Sequence, residues 1–164
     1  VSLNNLGDVL RAQGNQEEAL RSFSQSLEIA QRLAAQEPDN AQWQHDVSMS
    51  FVRLGDMLRD QGNLEEALRY FSQSLGIRQR LAAREPDNAQ WQTDLVVPQT
   101  RVASILMHGA STERTEAARL LSQARDTLLR LAASSRLTHE QQHQWLPDIE
   151  SMLRVLTQEE PEEA

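Results

Sequence analysis

The sequence predicts an all-α protein made of stacked helix hairpins, and three observations support this prediction. Residues 6–44 and 54–92 share 32 identities over 39 positions at an offset of 48 residues. Within each copy, apolar residues recur every three or four positions, which is the spacing of one helix face. Gly-Asn and Pro-Asp pairs interrupt the helical segments. Because each copy of such a repeat must bury its apolar face against a neighbour, the copies are expected to stack.

The first repeat, residues 1–38, contains two predicted helices. One face of the first helix carries three leucines: Leu3, Leu6 and Leu10. This helix should end at Gly14, which suits a left-handed turn. A capping pair of Asn15 and Glu18 is expected to open the second helix, and Pro38 should end it.

The second repeat, residues 39–86, follows the same plan with a complete first helix. Asp39 and Gln42 form the pattern of a helix start. Five apolar residues then fall on one face: Trp43, Val47, Phe51, Leu54 and Leu58. The second helix of this repeat is expected over residues 64–85.

The third repeat, residues 87–137, diverges from the other two. Pro98 stands where Ser50 stood in the previous copy. Because proline removes a backbone donor, this helix should kink near Val96 and Val97.

A closing helix is predicted over residues 138–158. Thr138 and Gln141 match a capping box. One apolar stripe follows: Trp145, Ile149, Met152, Leu153 and Leu156. An array of repeats needs such a helix to cover its last open face. The acidic segment 159–164 is expected to be a frayed tail.

Composition excludes several classes of function. The net charge of −8 argues against a nucleic-acid ligand, because that binding depends on clustered cations, and it favours basic or neutral protein partners. The chain has no cysteine, so neither disulfides nor thiolate chemistry is available. No apolar run is long enough to cross a membrane. The 16 basic residues are all arginine, which favours a bacterial source.

The spacing of leucine, glycine, alanine and phenylalanine in these repeats resembles that of the tetratricopeptide repeat family. The matching residues of the first two repeats are Leu6, Gly7, Leu10, Ala19 and Phe23, then Leu54, Gly55, Leu58, Ala67 and Phe71. The resemblance implies a right-handed superhelix, an α-solenoid of antiparallel hairpins closed by a capping helix. Gly7 and Gly55 should be small because two helices approach closely there.

The repeats depart from the usual family unit of about 34 residues in their length. Each helix gains about seven residues, close to two turns, so its buried face keeps its direction. Full helices of about 22 residues would be about 33 Å long. Trp43 and Trp91 are expected to pack in the added layer, with ligand stacking as the alternative.

In this family the inner, concave wall is lined by the first helix of each hairpin and commonly receives a peptide. By register, the resemblance implies that the wall presents Asn4, Asn5, Asp8, Arg11, Val52, Arg53, Asp56, Arg59, Asp60, Thr100, Arg101, Ser104 and His108. Asp8 and Asp56 stand where a clamp for a C-terminal carboxylate would have asparagine, so such a clamp is not expected. The Asp and Arg rows suit a mixed-charge peptide, or they pair with one another.

A separate motif, His139-Glu140-Gln141-Gln142-His143, has the form of a zinc-protease signature. Two imidazoles one helical turn apart can chelate zinc, with Glu140 as a general base, but catalysis needs a third protein ligand. Ile149 stands where one class of these enzymes has its third histidine, which leaves Glu159 or Glu160 as the only downstream candidates. His45 and His108 have no partner at ligand spacing, and no other catalytic constellation is present.

The sequence therefore predicts a cytoplasmic interaction scaffold that is not an enzyme and uses no cofactor. It is expected to be a fragment of a larger protein, since it opens at Val1 inside a predicted helix. The alternative within binding is a homo-oligomer that stacks through the apolar face of the first helix. The alternative in another class is a zinc hydrolase at His139 and His143.

Overall fold

The computed structural model describes residues 3–158, and within that range it contains helices and no β-strand. The helices are α1 Leu3–Ala12, α2 Gln16–Gln36, α3 Ala41–Asp60, α4 Leu64–Arg84, α5 Ala89–Leu106, α6 Ser111–Ala133 and α7 Leu146–Gln158. A π-helical turn, Gln141–Trp145, leads into α7. The predicted all-α class is confirmed. The tail at 159–164 lies outside the described residues.

The chain divides into two compact units, Val1–Ala83 and Arg84–Ala164, called unit 1 and unit 2 below. In unit 1, α1 packs on α2 and α2 packs on α3. In unit 2, α5 packs on α6 and α6 packs on α7. Helices that are neighbours in sequence are thus neighbours in space, as in a helical repeat. The repeat boundaries at residues 38, 86 and 137 stay predictions.

The core of unit 1 forms where the second helix of the first hairpin, α2, meets the first helix of the next hairpin, α3. Ala19 and Phe23 of α2 pack with Leu54 and Met57 of α3, and all four are almost fully buried. Leu10 of α1 covers the edge of this cluster. Such burial is worth roughly 1.5–3 kcal/mol for each large side chain, so this cluster accounts for much of the cohesion of α1, α2 and α3.

Glycine permits the closest helix contacts in unit 1. A Cβ atom built on Gly7 would lie only 2.4 Å from Phe23 Cε1, and one on Gly55 only 2.5 Å from Phe71 Cε1. The predicted close approach at both glycines is confirmed, and the surface they face is a phenylalanine ring. Gly76 is different, because the nearest atom to its added Cβ is 3.9 Å away.

The helix starts differ in detail from the predicted caps. Asn40 caps α3 by accepting from the backbone N–H groups of Gln42 at 3.0 Å and Trp43 at 3.3 Å. The prediction of Asp39 as the cap was wrong by one residue, because Asn40 is the extended residue directly before the first helical turn. Asn15 makes no side-chain capping bond at the start of α2, so that prediction was also wrong.

Two features of unit 2 bear on the remaining predictions. Helix α5 is continuous through Pro98, whose side chain is buried, and the kink near Val96 and Val97 stays a prediction. The capping box at Thr138 is confirmed: Thr138 N–H donates to Gln141 Oε1 at 2.9 Å, and Gln141 N–H donates to Thr138 Oγ1 at 3.2 Å.

None of the helices within residues 3–158 is both long and apolar enough to span a bilayer.

Candidate functional site

The predicted wall residues lie on the first helices of the hairpins. Helix α1 carries Asn4, Asn5, Asp8 and Arg11, helix α3 carries Val52, Arg53, Asp56, Arg59 and Asp60, and helix α5 carries Thr100, Arg101 and Ser104. His108 lies just after the end of α5 and is exposed.

In unit 1, opposite charges on α1 and α3 face each other. The guanidinium of Arg53 binds the carboxylate of Asp8 in a bidentate manner. Its Nε donates to Oδ1 and Oδ2 at 3.2 and 3.1 Å, and its Nη2 donates to Oδ2 at 3.0 Å. A bidentate pair of this kind fixes direction as well as distance. It therefore holds the middle of α1 beside the middle of α3.

A second set of pairs continues along the same helices toward their C-terminal ends. Arg11 Nη2 of α1 donates to Asp60 Oδ2 of α3 at 2.5 Å. Arg59 lies 3.2 Å from the Asp56 carboxylate and 3.4 Å from that of Asp60. We call the complete set the Asp/Arg ladder; it consists of Asp8, Arg11, Arg53, Asp56, Arg59 and Asp60. Three carboxylates and three guanidiniums give this surface no net charge.

The ladder is only partly accessible to a partner. Asp8 and Asp60 are exposed, while Arg11, Arg53 and Arg59 are half-buried. Asp56 is 8 % exposed and Val52 of the predicted wall is 7 % exposed, so these two offer little surface. Solvent-facing ion pairs are worth about 0–1 kcal/mol each. A charged ligand can therefore exchange with the outer pairs at small cost.

In unit 2, the wall hydroxyls are already engaged by their own helix. Thr100 Oγ1 donates to the Val97 carbonyl at 2.9 Å, and Ser104 Oγ donates to the Arg101 carbonyl at 2.8 Å. Each hydroxyl still has lone pairs that can accept a bond. Arg101 is half-buried and has contacts of its own.

The geometry also bears on the carboxylate clamp. Arg53 is one of the two arginines that such a clamp would need, and its guanidinium already binds both oxygens of Asp8. A peptide carboxylate would have to displace an intramolecular carboxylate of the same chemistry. The arrangement therefore favours a partner that contributes both charge signs over one that contributes a lone carboxylate.

The two histidines of the His139–His143 motif lie side by side at the start of the closing helix, with their rings tilted by 40°. Their ring centroids are 4.3 Å apart, and both side chains are exposed. Within residues 3–158, no group of three His, Asp or Glu side chains is placed to hold a metal. Glu159 and Glu160, the downstream candidates, lie outside the described residues. The zinc hydrolase alternative thus gains no support from the described geometry.

Sequence reasoning missed a cavity of about 310 Å³ in unit 1. Its lining comes from α1, α2 and α3 and comprises Leu3, Asn4, Ser26, Ile29, Ala30, Leu33, Trp43 and Asp46. No spacing in the sequence signals this cavity, because its lining comes from three separate helices that meet only in the folded protein.

Comparison with known protein families agrees with the repeat pattern. Two family models match, both described as Tetratricopeptide repeat, one over residues 1–57 and the other over residues 47–86. Together they span more than half of the chain. No curated protein matches the sequence. The matched segments contain the Gly7–Phe23 and Gly55–Phe71 contacts, and the chain belongs to the tetratricopeptide repeat family.

Proposed function

We propose that this protein binds a peptide segment of mixed charge on the first-helix face of unit 1, along the Asp/Arg ladder. Tetratricopeptide repeats are generally protein–protein interaction modules, and proteins of this family are typically scaffolds without enzymatic activity. The observation that supports the proposal is the ladder itself: cations and anions alternate between α1 and α3, with Asp8 and Asp60 open to solvent.

Binding would occur by exchange of partners. A lysine or arginine of the peptide pairs with Asp8 or Asp60, and an acidic residue of the peptide pairs with the arginine that is released. Because the exposed pairs contribute little to folding, their exchange leaves the helices in place. Direction along the Asp/Arg ladder would follow from the order of charges in the peptide. Thr100, Arg101, Ser104 and His108 stay predicted contributors from unit 2.

The test is a charge reversal with a matched control. Peptides selected from a displayed library against the wild-type protein would be measured by calorimetry against Arg53→Glu and Arg69→Glu. Arg69 also lies in unit 1 and pairs with Glu66 at 3.0 Å, but it belongs to α4 and is outside the ladder. We expect Arg53→Glu to weaken binding about tenfold or more, as is usual for an interfacial charge pair, and Arg69→Glu to leave it unchanged.

A charge swap separates binding from stability. The double variant Asp8→Arg with Arg53→Asp restores an ion pair between α1 and α3 with its direction reversed. It should fold like the wild type and still lose the selected peptides. Equal affinity for wild type, single variant and swap would refute binding along the ladder.

Self-association is the second candidate, and exposed apolar side chains favour it. Leu6 and Val9 of α1 are 42 % and 53 % exposed, and they lie three residues apart on one helix face. Contiguous apolar surface on a folded protein is typical of an interaction site. Light scattering at millimolar concentration tests this candidate: Leu6→Gln should reduce the apparent mass of any oligomer, and a wild-type monomer would exclude it.

The cytoplasmic location that the sequence analysis expected also stays a prediction.

A further inference from the structure

The His139–His143 motif lies on a turn whose backbone is held at both ends. At its start, Thr138 and Gln141 exchange the two bonds of the capping box, and Gln142 N–H donates to the Thr138 carbonyl at 3.1 Å. At its end, α7 packs on α6, and Ile149 of α7 is only 1 % exposed. The two imidazoles therefore stand on a backbone that needs no ordering when a ligand arrives.

The same segment departs from ordinary α-helical bonding. In the π-helical turn Gln141–Trp145, Leu146 N–H donates to the Gln141 carbonyl, five residues back. Pro147 has no N–H and cannot donate to the carbonyl of His143, four residues before it, so the bonding has to change here. Single π-helical turns beside α-helices are frequent at functional sites.

The two imidazoles are close enough to share one metal ion. Their ring centroids are 4.3 Å apart, the ring planes are tilted by 40°, and both side chains are exposed. Two imidazoles that each place a nitrogen about 2.0–2.1 Å from one ion have centroids roughly 4.5–5 Å apart. A small rotation about the side-chain bonds of His139 or His143 therefore turns the observed pair into a chelate.

The donor atoms select the class of metal. Imidazole nitrogen suits Cu²⁺, Ni²⁺ and Zn²⁺, whereas Mg²⁺ and Ca²⁺ need several oxygen ligands. Among residues 3–158, no third His, Asp or Glu side chain completes a metal-binding group with the pair. The net charge of −8 attracts cations to the surface of the protein.

We propose that His139 and His143 bind one divalent transition-metal ion, Cu²⁺, Ni²⁺ or Zn²⁺, as a two-histidine chelate. One ring nitrogen of each imidazole binds the ion, and water occupies the other positions. The site binds metal without hydrolysing a substrate, since catalytic zinc sites have three protein ligands. This proposal does not depend on the Asp/Arg ladder.

The test is metal titration of the protein without a polyhistidine tag, followed by calorimetry. We expect one Zn²⁺ ion per chain, tighter binding of Cu²⁺ than of Zn²⁺, and no binding of Mg²⁺. In the NMR spectrum the chain has four histidines, and only the ring signals of His139 and His143 should shift with Zn²⁺. This measurement uses the wild-type protein, so it is independent of how any variant folds.

Two variants and one control test the ligands. His139→Ala and His143→Ala should each weaken Zn²⁺ binding at least about tenfold, because a single imidazole loses the advantage of a linked second ligand. His45→Thr should leave Zn²⁺ binding unchanged. His45 lies on α3 in unit 1, and threonine is the residue of the second copy at the equivalent position, Thr93.

A further variant tests the spacing. The exchange His143→Gln with Gln144→His keeps the number of histidines but moves one ring around the helix, away from His139. It should bind Zn²⁺ as weakly as His143→Ala does. Circular dichroism checks that the variants fold.

Three results would overturn the proposal. The first is the absence of saturable Cu²⁺ or Zn²⁺ binding to the wild-type protein. The second is equal Zn²⁺ affinity of the wild type and His143→Ala. The third is equal affinity of the wild type and the exchange variant, which would show adventitious binding to separate histidines.

Discussion

Single glycines decide how closely the helices of unit 1 approach. Gly55 lies against the edge of Phe71, so the ring fills the place where a Cβ would stand. Gly76 occupies a helix interior with open space around it. The same residue type therefore has opposite consequences at two positions of one unit: the first is required by packing, and the second weakens its helix.

Alanine substitution at the two glycines tests this difference. Gly55→Ala should destabilise the protein by about 1–3 kcal/mol, because Phe71 must move from a packed position. Gly76→Ala should stabilise it by about 0.5–1 kcal/mol through helix propensity alone. Urea unfolding followed by circular dichroism measures both changes. Similar effects of the two substitutions would contradict the contact at Phe71.

At the scale of the element, an ion pair on α6 links helix stability to pH. Arg119 donates to the carboxylate of Glu116 at 2.7 and 2.6 Å, three residues earlier on the helix. This hydrogen bond lowers the pKa of Glu116 below its ordinary value of 4.5 and raises the pKa of Arg119. Both side chains are about half exposed, so the pair contributes no more than about 0.5 kcal/mol.

The sign of the pH effect follows from the lowered pKa. Because the folded pKa of Glu116 is lower than the unfolded one, the pair stabilises the protein at pH values above about 4.5 and stops doing so as the pH falls through the lowered pKa. Glu116→Gln should therefore be slightly less stable than wild type at pH 7, and the difference should be smaller at pH 3. Parallel urea titrations at the two pH values measure it. A difference that grows in acid would contradict the assignment.

At the scale of the whole molecule, the net charge governs solubility. The chain carries a net charge of −8 at pH 7, and its isoelectric point is about 5.0. Since the ladder is itself neutral, the excess negative charge lies on other surfaces. That excess favours encounter with basic segments over the whole surface.

Protonation of the carboxylates at lower pH should reduce the net negative charge and so weaken the repulsion between copies of the protein. We expect a solubility minimum near pH 5, because proteins associate most readily when their net charge approaches zero. Turbidity of a concentrated solution between pH 7 and pH 4 measures it, with 0.5 M salt as a control that weakens charge effects. Constant solubility across this range would show that apolar contacts, and not charge, control association.

The repeat pattern by itself determined the helical class, the helix order and the close approaches at Gly7 and Gly55, because each depends on residue spacing that recurs 48 residues later. Caps were predicted less well: Asn40 and Asp39 are chemically similar neighbours, and only backbone geometry selects between them. The sequence offered mutual pairing of the Asp and Arg rows as one of two alternatives, but the specific partners, Arg53 with Asp8 and Arg11 with Asp60, required tertiary structure. Ion pairs and cavities depend on how side chains from separate helices meet, and no local spacing in the chain encodes that meeting.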